Sequence, residues 1–148
     1  MSERSATIQR QTRETDITLT LDIDGSGKSD VQTGIGFLDH MLTALARHAR
    51  FDLFLHCAGD LDVDGHHTSE DCAMVIGQAI DRIIGDRSGI NRFGFAYCPM
   101  DEALARVAID LSGRPASVVD IGLRRERIGS MATENITHVF QSLAIAMR

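Results

Sequence analysis

The chain has 148 residues, 43% of them hydrophobic and 24% charged. That is one domain of ordinary size, with the composition of a soluble globular protein and enough length to bury a core without disulfides or a structural metal. A formal net charge of −6, with acids spread along the chain, argues against nucleic acid and anionic membranes as partners. Cys57, Cys72 and Cys98 are an odd number without CxxC spacing, so free thiols in a reducing cytosol are expected. Met1 to Ser5 lead into no apolar stretch, and no run reaches the roughly 20 apolar residues of a membrane span. A soluble, cytoplasmic protein is the expectation.

In chain order, Ile17, Leu19, Leu21 and Ile23 alternate with polar residues and predict a half-buried strand. Ala6 to Arg10 is a candidate partner strand, with a turn near Glu14 between them. Gly25-Ser26-Gly27-Lys28-Ser29 breaks the pattern. It lacks the upstream glycine of a phosphate-binding loop, since Asp22 stands there, so a hairpin turn is predicted.

Leu38, Met41, Leu42, Leu45 and Ala49 fall at helical spacing and predict a helix over 38–49. Phe51 to His56 reads as a short buried strand, followed by an acidic loop from Gly59 to Gly65. A second helix is predicted from His67 to Ile84, with Cys72, Ile76, Ala79, Ile80 and Ile83 as its buried stripe and Gly85 as its stop. Gly94 to Cys98, Ala105 to Leu111 and Ser117 to Ile121 are candidate strands, with Ser112-Gly113-Arg114-Pro115 as a turn. Glu134 to Met147 is helical.

That last helix echoes the first. A shift of 98 residues (138 − 40) lays Ile136, Val139, Phe140, Leu143 and Met147 on the first helix's apolar stripe and His138 on His40. An internal duplication follows, each unit being strands, helix, strand, helix, with the second unit incomplete.

The run His66-His67-Thr68-Ser69-Glu70-Asp71 carries the chemistry. Residues four apart share a helix face, so His66 and Glu70 can reach one ion, while His67 points toward a second ion or a substrate. Imidazole with carboxylate suits manganese, iron or zinc. The plainer alternative is a polar helix start capped by Thr68 or Ser69. Two adjacent histidines with an acid at i+4 are more than capping needs. His40 and His138 gain weight as ligands from their shared register, while His48 and His56 read as structural or surface residues. Arg92 and Arg114 sit by glycine or proline at strand ends, where a guanidinium can grip a phosphate or simply be solvated. Cys98 has no partner by spacing and is not proposed as a nucleophile.

Four segments together carry a resemblance. They are Arg13-Glu14-Thr15-Asp16-Ile17, Gly34-Ile35-Gly36-Phe37-Leu38-Asp39-His40-Met41, Asp64-Gly65-His66-His67-Thr68-Ser69-Glu70-Asp71 and Asp110-Leu111-Ser112-Gly113-Arg114-Pro115. In this order they resemble the imidazoleglycerol-phosphate dehydratases of histidine biosynthesis, over nearly the whole chain. The resemblance implies an α+β fold of the ribosomal protein S5 domain 2-like kind, internally duplicated. It would form one domain over 1–148, with a first repeat over 1–88 and an incomplete second over 89–148. It implies a large homo-oligomer with sites between subunits and two manganese ions per site. The implied reaction is dehydration of imidazole glycerol phosphate, a small phosphate substrate, to imidazole acetol phosphate. Carried over by motif, His40, His66, His67, Glu70 and His138 are the expected metal ligands. Glu14, Arg92 and Arg114 are expected substrate contacts, with Glu14, His67 and Glu70 catalytic. Two departures stand out: a second His-His-x-x-Glu helix of the family lies beyond Arg148, and Ala44 replaces a usual glutamine. A C-terminally truncated chain is therefore expected, with a non-catalytic relic or assembly subunit as the alternative.

Overall fold

The alternation of Ile17, Leu19 and Leu21 does build a half-buried strand, and it is the inner spine of a four-stranded sheet. The computed structural model describes residues 4–148. Met1 to Glu3, on which part of the reading of the N-terminus rests, lie outside the described residues. Strands β1 (Ser5–Gln11) and β2 (Thr15–Asp22) form an antiparallel hairpin, and β4 (Asp52–Gly59) pairs antiparallel with the other edge of β2. A short strand absent from the sequence reading, β3 (Ser29–Gln32), pairs parallel with β4, giving the order β1-β2-β4-β3.

Helix α1 (Gly36–Ala49) is the crossover between β3 and β4, because parallel neighbours cannot be joined by a tight turn. The 25–29 segment is therefore a bend between β2 and β3 and not the hairpin turn expected. It is closed by Asp52, whose Oδ1 accepts from the Ser26 N–H at 2.7 Å and the Lys28 N–H at 2.9 Å. The short buried strand expected over 51–56 is longer and one-sided: Leu53 and Leu55 face the core, while Phe54 and His56 face out.

Helix α2 (His66–Ile84) lies across the same face of the sheet as α1, and Ile17, Leu19, Leu21, Leu38, Leu42, Ala46, Leu53, Leu55, Cys72, Val75, Ile76 and Ala79 form one buried cluster. Gly59 admits this packing, since a Cβ there would lie 2.0 Å from the Thr68 hydroxyl. Helix α3 (Thr133–Met147) then packs along α2, adding Ile136, Val139 and Leu143 to the core margin. Gly77 makes the crossing possible: a Cβ on it would lie 2.7 Å from the Leu143 carbonyl oxygen and 2.9 Å from the Met147 nitrogen. Among the described residues, no helix is long and apolar enough to cross a membrane.

The second half repeats the first in part. Strands β5 (Phe93–Met100) and β6 (Ala103–Asp110) pair with the register of β1 and β2 moved by 88 residues (93 − 5 and 110 − 22). The expected alternation of Val107 and Ile109 is present, but every residue of both strands is exposed. The strand expected over Ser117–Ile121 is not formed; the chain there has no regular structure. Its counterpart in the first half, β3, is held by the strand that follows the helix, and among the described residues none follows α3. Without a neighbour there is no ladder, whatever the strand propensity. The two-residue strands β7 (Arg127–Ile128) and β8 (Met131–Ala132) close a small turn before α3.

Candidate metal centre

Helix α2 begins where its histidines stand. The Asp64 carboxylate accepts from the His66 N–H at 2.7 Å and satisfies one of the donors that a helix start leaves open. Neither hydroxyl expected as a cap performs that role. Ser69 donates backwards to the Gly65 carbonyl at 2.6 Å, and the buried Thr68 hydroxyl has no hydrogen-bond partner among the described residues. Capping therefore does not account for the pair of histidines.

One turn of helix brings Glu70 beneath His66, with Glu70 Oε2 3.8 Å from His66 Nε2. Helix α3 supplies the third group: His138 Nε2 stands 3.3 Å from Glu70 Oε1. The rings of His66 and His138 stack at 4.7 Å between centroids, 19° from parallel. His66, Glu70 and His138 each offer a ligand atom within 4.8 Å of the others, all half-buried. Two imidazoles and a carboxylate are the donor set of a borderline divalent ion, so these residues fit a metal of that class. The sequence spacing and the echo of His40 in His138 thus converge on one cluster.

His67 does not join that cluster. Its ring is turned 70° from that of His66. Its Nδ1 lies 2.9 Å from Asp60 Oδ2, a hydrogen bond that raises its pKa above the ordinary imidazole value, with the charges of Asp60, Glu14 and Asp64 adding to the rise. Glu14 is tied to the same place by its backbone, whose carbonyl accepts from the Asp60 N–H at 3.0 Å. A turn at the end of β1 presents it: Thr12 Oγ1 accepts from the Glu14 N–H at 3.1 Å and the Thr15 N–H at 2.9 Å. Thr15 is in turn held by Asp71 of α2, whose other oxygen takes the Arg10 guanidinium at 2.9 Å.

His40 stands apart. It is exposed in the first turns of α1 and belongs to no metal-binding group among the described residues. Its neighbour Asp39 is occupied with Thr33, accepting from the backbone N–H at 2.9 Å and the hydroxyl at 2.5 Å. Arg92 is paired with Asp110, and among the described residues neither it nor Arg114 is hydrogen-bonded or ion-paired to a histidine. Arg92 grips that carboxylate through two nitrogens at 2.5 and 2.9 Å and holds its pKa below the usual range, with a smaller contribution from Arg114. Arg114, Ser112 and Arg148 line a cavity of about 190 Å³ beside it.

The sequence reading missed Asp60 and Asn135. Asn135, in the first turn of α3, is buried and bonds His66 Nδ1 through its Oδ1 at 3.2 Å. Both meet the histidines only through tertiary structure. The one signal in the sequence was an acidic loop just ahead of a histidine helix.

The model of the imidazoleglycerol-phosphate dehydratase family matches residues 33–148. The chain belongs to this family. An imidazoleglycerol-phosphate dehydratase of Roseiflexus is 57% identical over 144 residues, covering 97% of this chain, which spans 72% of that protein's length. One from Phytophthora nicotianae is 54% identical, and the chain spans only 32% of it. Among solved structures, the dehydratase of Staphylococcus aureus superposes with a TM-score of 0.84 at 36% identity, over 97% of this chain and 78% of that one. That of Pyrococcus furiosus, in complex with (S)-C348, superposes at 0.80 and 32% identity, over 95% and 74%. Family membership and the α+β fold agree with the reading of the four sequence motifs.

Proposed function

We propose that this chain takes part in the dehydration of imidazole glycerol phosphate to imidazole acetol phosphate, with manganese as its ion. The observation that carries the reading is the His66–Glu70–His138 cluster, built across two helices in a chain of this family. Manganese, when bound, supplies Lewis-acid stabilisation of the negative charge that develops on the substrate imidazole.

The chain's own groups do the rest. His66, Glu70 and His138 hold the ion. Glu14 and His67, drawn together at Asp60, take the proton from the carbon beside the ring and return one to the departing hydroxyl, which leaves as water. The enol so formed becomes the ketone. Arg92 and Arg114 hold the phosphate, and Arg92 must exchange part of its grip on Asp110 to do so. His40 is read as a ligand of a second ion whose remaining ligands come from outside the described chain. That reading goes with a large homo-oligomer having sites between subunits, and with a cytoplasmic protein. The matched hairpin registers support one domain of two repeats, 1–88 and 89–148.

Chelation followed by an activity assay tests the proposal. Turnover should fall on removing metal and return with manganese, and undiminished turnover in a metal-free chain would overturn it. His40, exposed and outside any metal-binding group among the described residues, is the observation that favours a non-catalytic assembly subunit instead. A chain purified with no bound ion and no manganese affinity would decide for that second reading.

A further inference from the structure

Side-chain oxygens that can only accept stand against the inner nitrogens of both histidines at the start of α2. Asp60 Oδ2 lies 2.9 Å from His67 Nδ1, and Asn135 Oδ1 lies 3.2 Å from His66 Nδ1. A carboxylate and an amide oxygen offer no proton, so each ring must donate from Nδ1. A neutral imidazole carries one N–H, and the Nε2 of each ring is then left with its lone pair free.

Neither acceptor is explained by helix capping. The first turn of α2 is capped by Asp64, and α3 starts without a side-chain cap. Nor, among the described residues, is either oxygen holding a backbone donor. Asn135 is 4% exposed, so its amide was buried at a cost that its bond to His66 offsets. Among the described residues, the second carboxylate oxygen of Asp60 is buried without a partner, and the His67 imidazole is the one ring or side-chain donor to Asp60.

We propose that Asp60 and Asn135 are positioning residues that lock His67 and His66 in the Nδ1–H tautomer and turn both Nε2 atoms outward to accept metal or substrate. Asp60 does more than Asn135. Its N–H donates to the Glu14 carbonyl at 3.0 Å, so one residue sets the ring of His67 and the place of Glu14 together. The inference rests on the dehydratase reading for what the Nε2 atoms accept, but not for the tautomers themselves. Partners of this kind orient ligand histidines and raise their donor strength, and losing one typically costs about 10- to 100-fold in metal affinity.

Long-range proton–nitrogen NMR of the metal-free, histidine-labelled chain, held alkaline enough to keep the rings neutral, reads the tautomers directly. In the wild type both His66 and His67 should be protonated at Nδ1 and bare at Nε2. Asp60→Ala should release His67 toward the other tautomer and leave His66 unchanged. Asn135→Ala should do the converse, and Asp60→Asn, which keeps an acceptor oxygen, should restore the His67 signature. Manganese titration of the same variants should show affinity falling about 10- to 100-fold in the alanine forms. An Nε2–H ring at His67 in the wild type overturns the inference. So does a His66 signature that moves with Asp60→Ala while the melting temperature of the variant stays close to wild type. Correct tautomers in a chain that binds no manganese support the positioning role and count against the dehydratase reading alone.

Discussion

Asp52 shows how a single carboxylate can organise a bend. Its Oδ1 takes two backbone N–H groups and the Ser26 hydroxyl, and those bonds hold its pKa below the usual carboxylate value. The stability it adds is therefore present above the unfolded value, near 3.9, and is lost as pH falls through the lower folded value. The melting temperature of the wild type should drop on acidification below about pH 4, and Asp52→Asn should flatten that part of the curve. An unchanged acid limb in the variant would show that the bend does not need the charge. Gly25 belongs to the same device: a Cβ there would sit 2.4 Å from the Asp52 nitrogen. The residue scale is also where the site was only half legible. His66 and Glu70 are joined by helical spacing, and His138 by its register with His40. Asp60 and Asn135 are not reachable that way, because they meet His67 and His66 through the fold and no periodicity connects them.

At the scale of elements, the metal cluster depends on how closely two helices lie. His66 and Glu70 come from α2 and His138 from α3, so the 3.3 Å separation between Glu70 and His138 is a statement about the crossing. Gly77 sets that crossing. In Gly77→Ala the new methyl would fall 2.7 Å from both the Ala146 Cβ and the Leu143 carbonyl, and the carbonyl is backbone that cannot swing aside. The expected result is a loss of about 1–3 kcal/mol from overpacking, although alanine is the better helix former. Manganese affinity should fall along with stability, because α3 can relieve the clash only by carrying His138 away. Urea unfolding and a metal titration on one sample measure both, and a stable variant with wild-type affinity would refute the account.

The elements themselves were legible to different degrees for physical reasons. Ile17, Leu19 and Leu21 state their period because one face of β2 is in the core and the other in solvent. In α1 the expected stripe holds only in part: Leu38 and Leu42 are buried, Met41, Leu45 and Ala49 are exposed, and Ala46, which was not in it, is buried instead. Strand β3 has only four residues, Ser29, Asp30, Val31 and Gln32, and a single apolar side chain cannot announce a period. It exists because β4 offers an edge. Ser117 to Ile121 has the opposite history: β-branched residues without an edge to pair with, and so no strand.

At the scale of the whole molecule, the two hairpins share a register and differ in everything that covers them. Ile17, Leu19 and Leu21 of the first are fully buried beneath α2, whereas Phe95 of the second is 82% exposed, with Phe93, Tyr97 and Leu104 also open to solvent. A two-stranded ribbon with no face covered is marginal by itself in water. Its ladder should open locally at little cost, while that of β1, β2 and β4 should open only with global unfolding. Hydrogen exchange on the chain should then show β5 and β6 amides exchanging orders of magnitude faster than those of β2 and β4. The exposed aromatics form an apolar surface of the kind that seeks a partner or aggregates. Phe95→Lys should accordingly lower dye binding and self-association without lowering the melting temperature of the α1–α2–sheet core. If β5 and β6 were instead protected to the same level as β2 in the assembled protein, and exposed again on dilution, the cover would be another copy of the chain, since protection by the chain's own core would not depend on concentration.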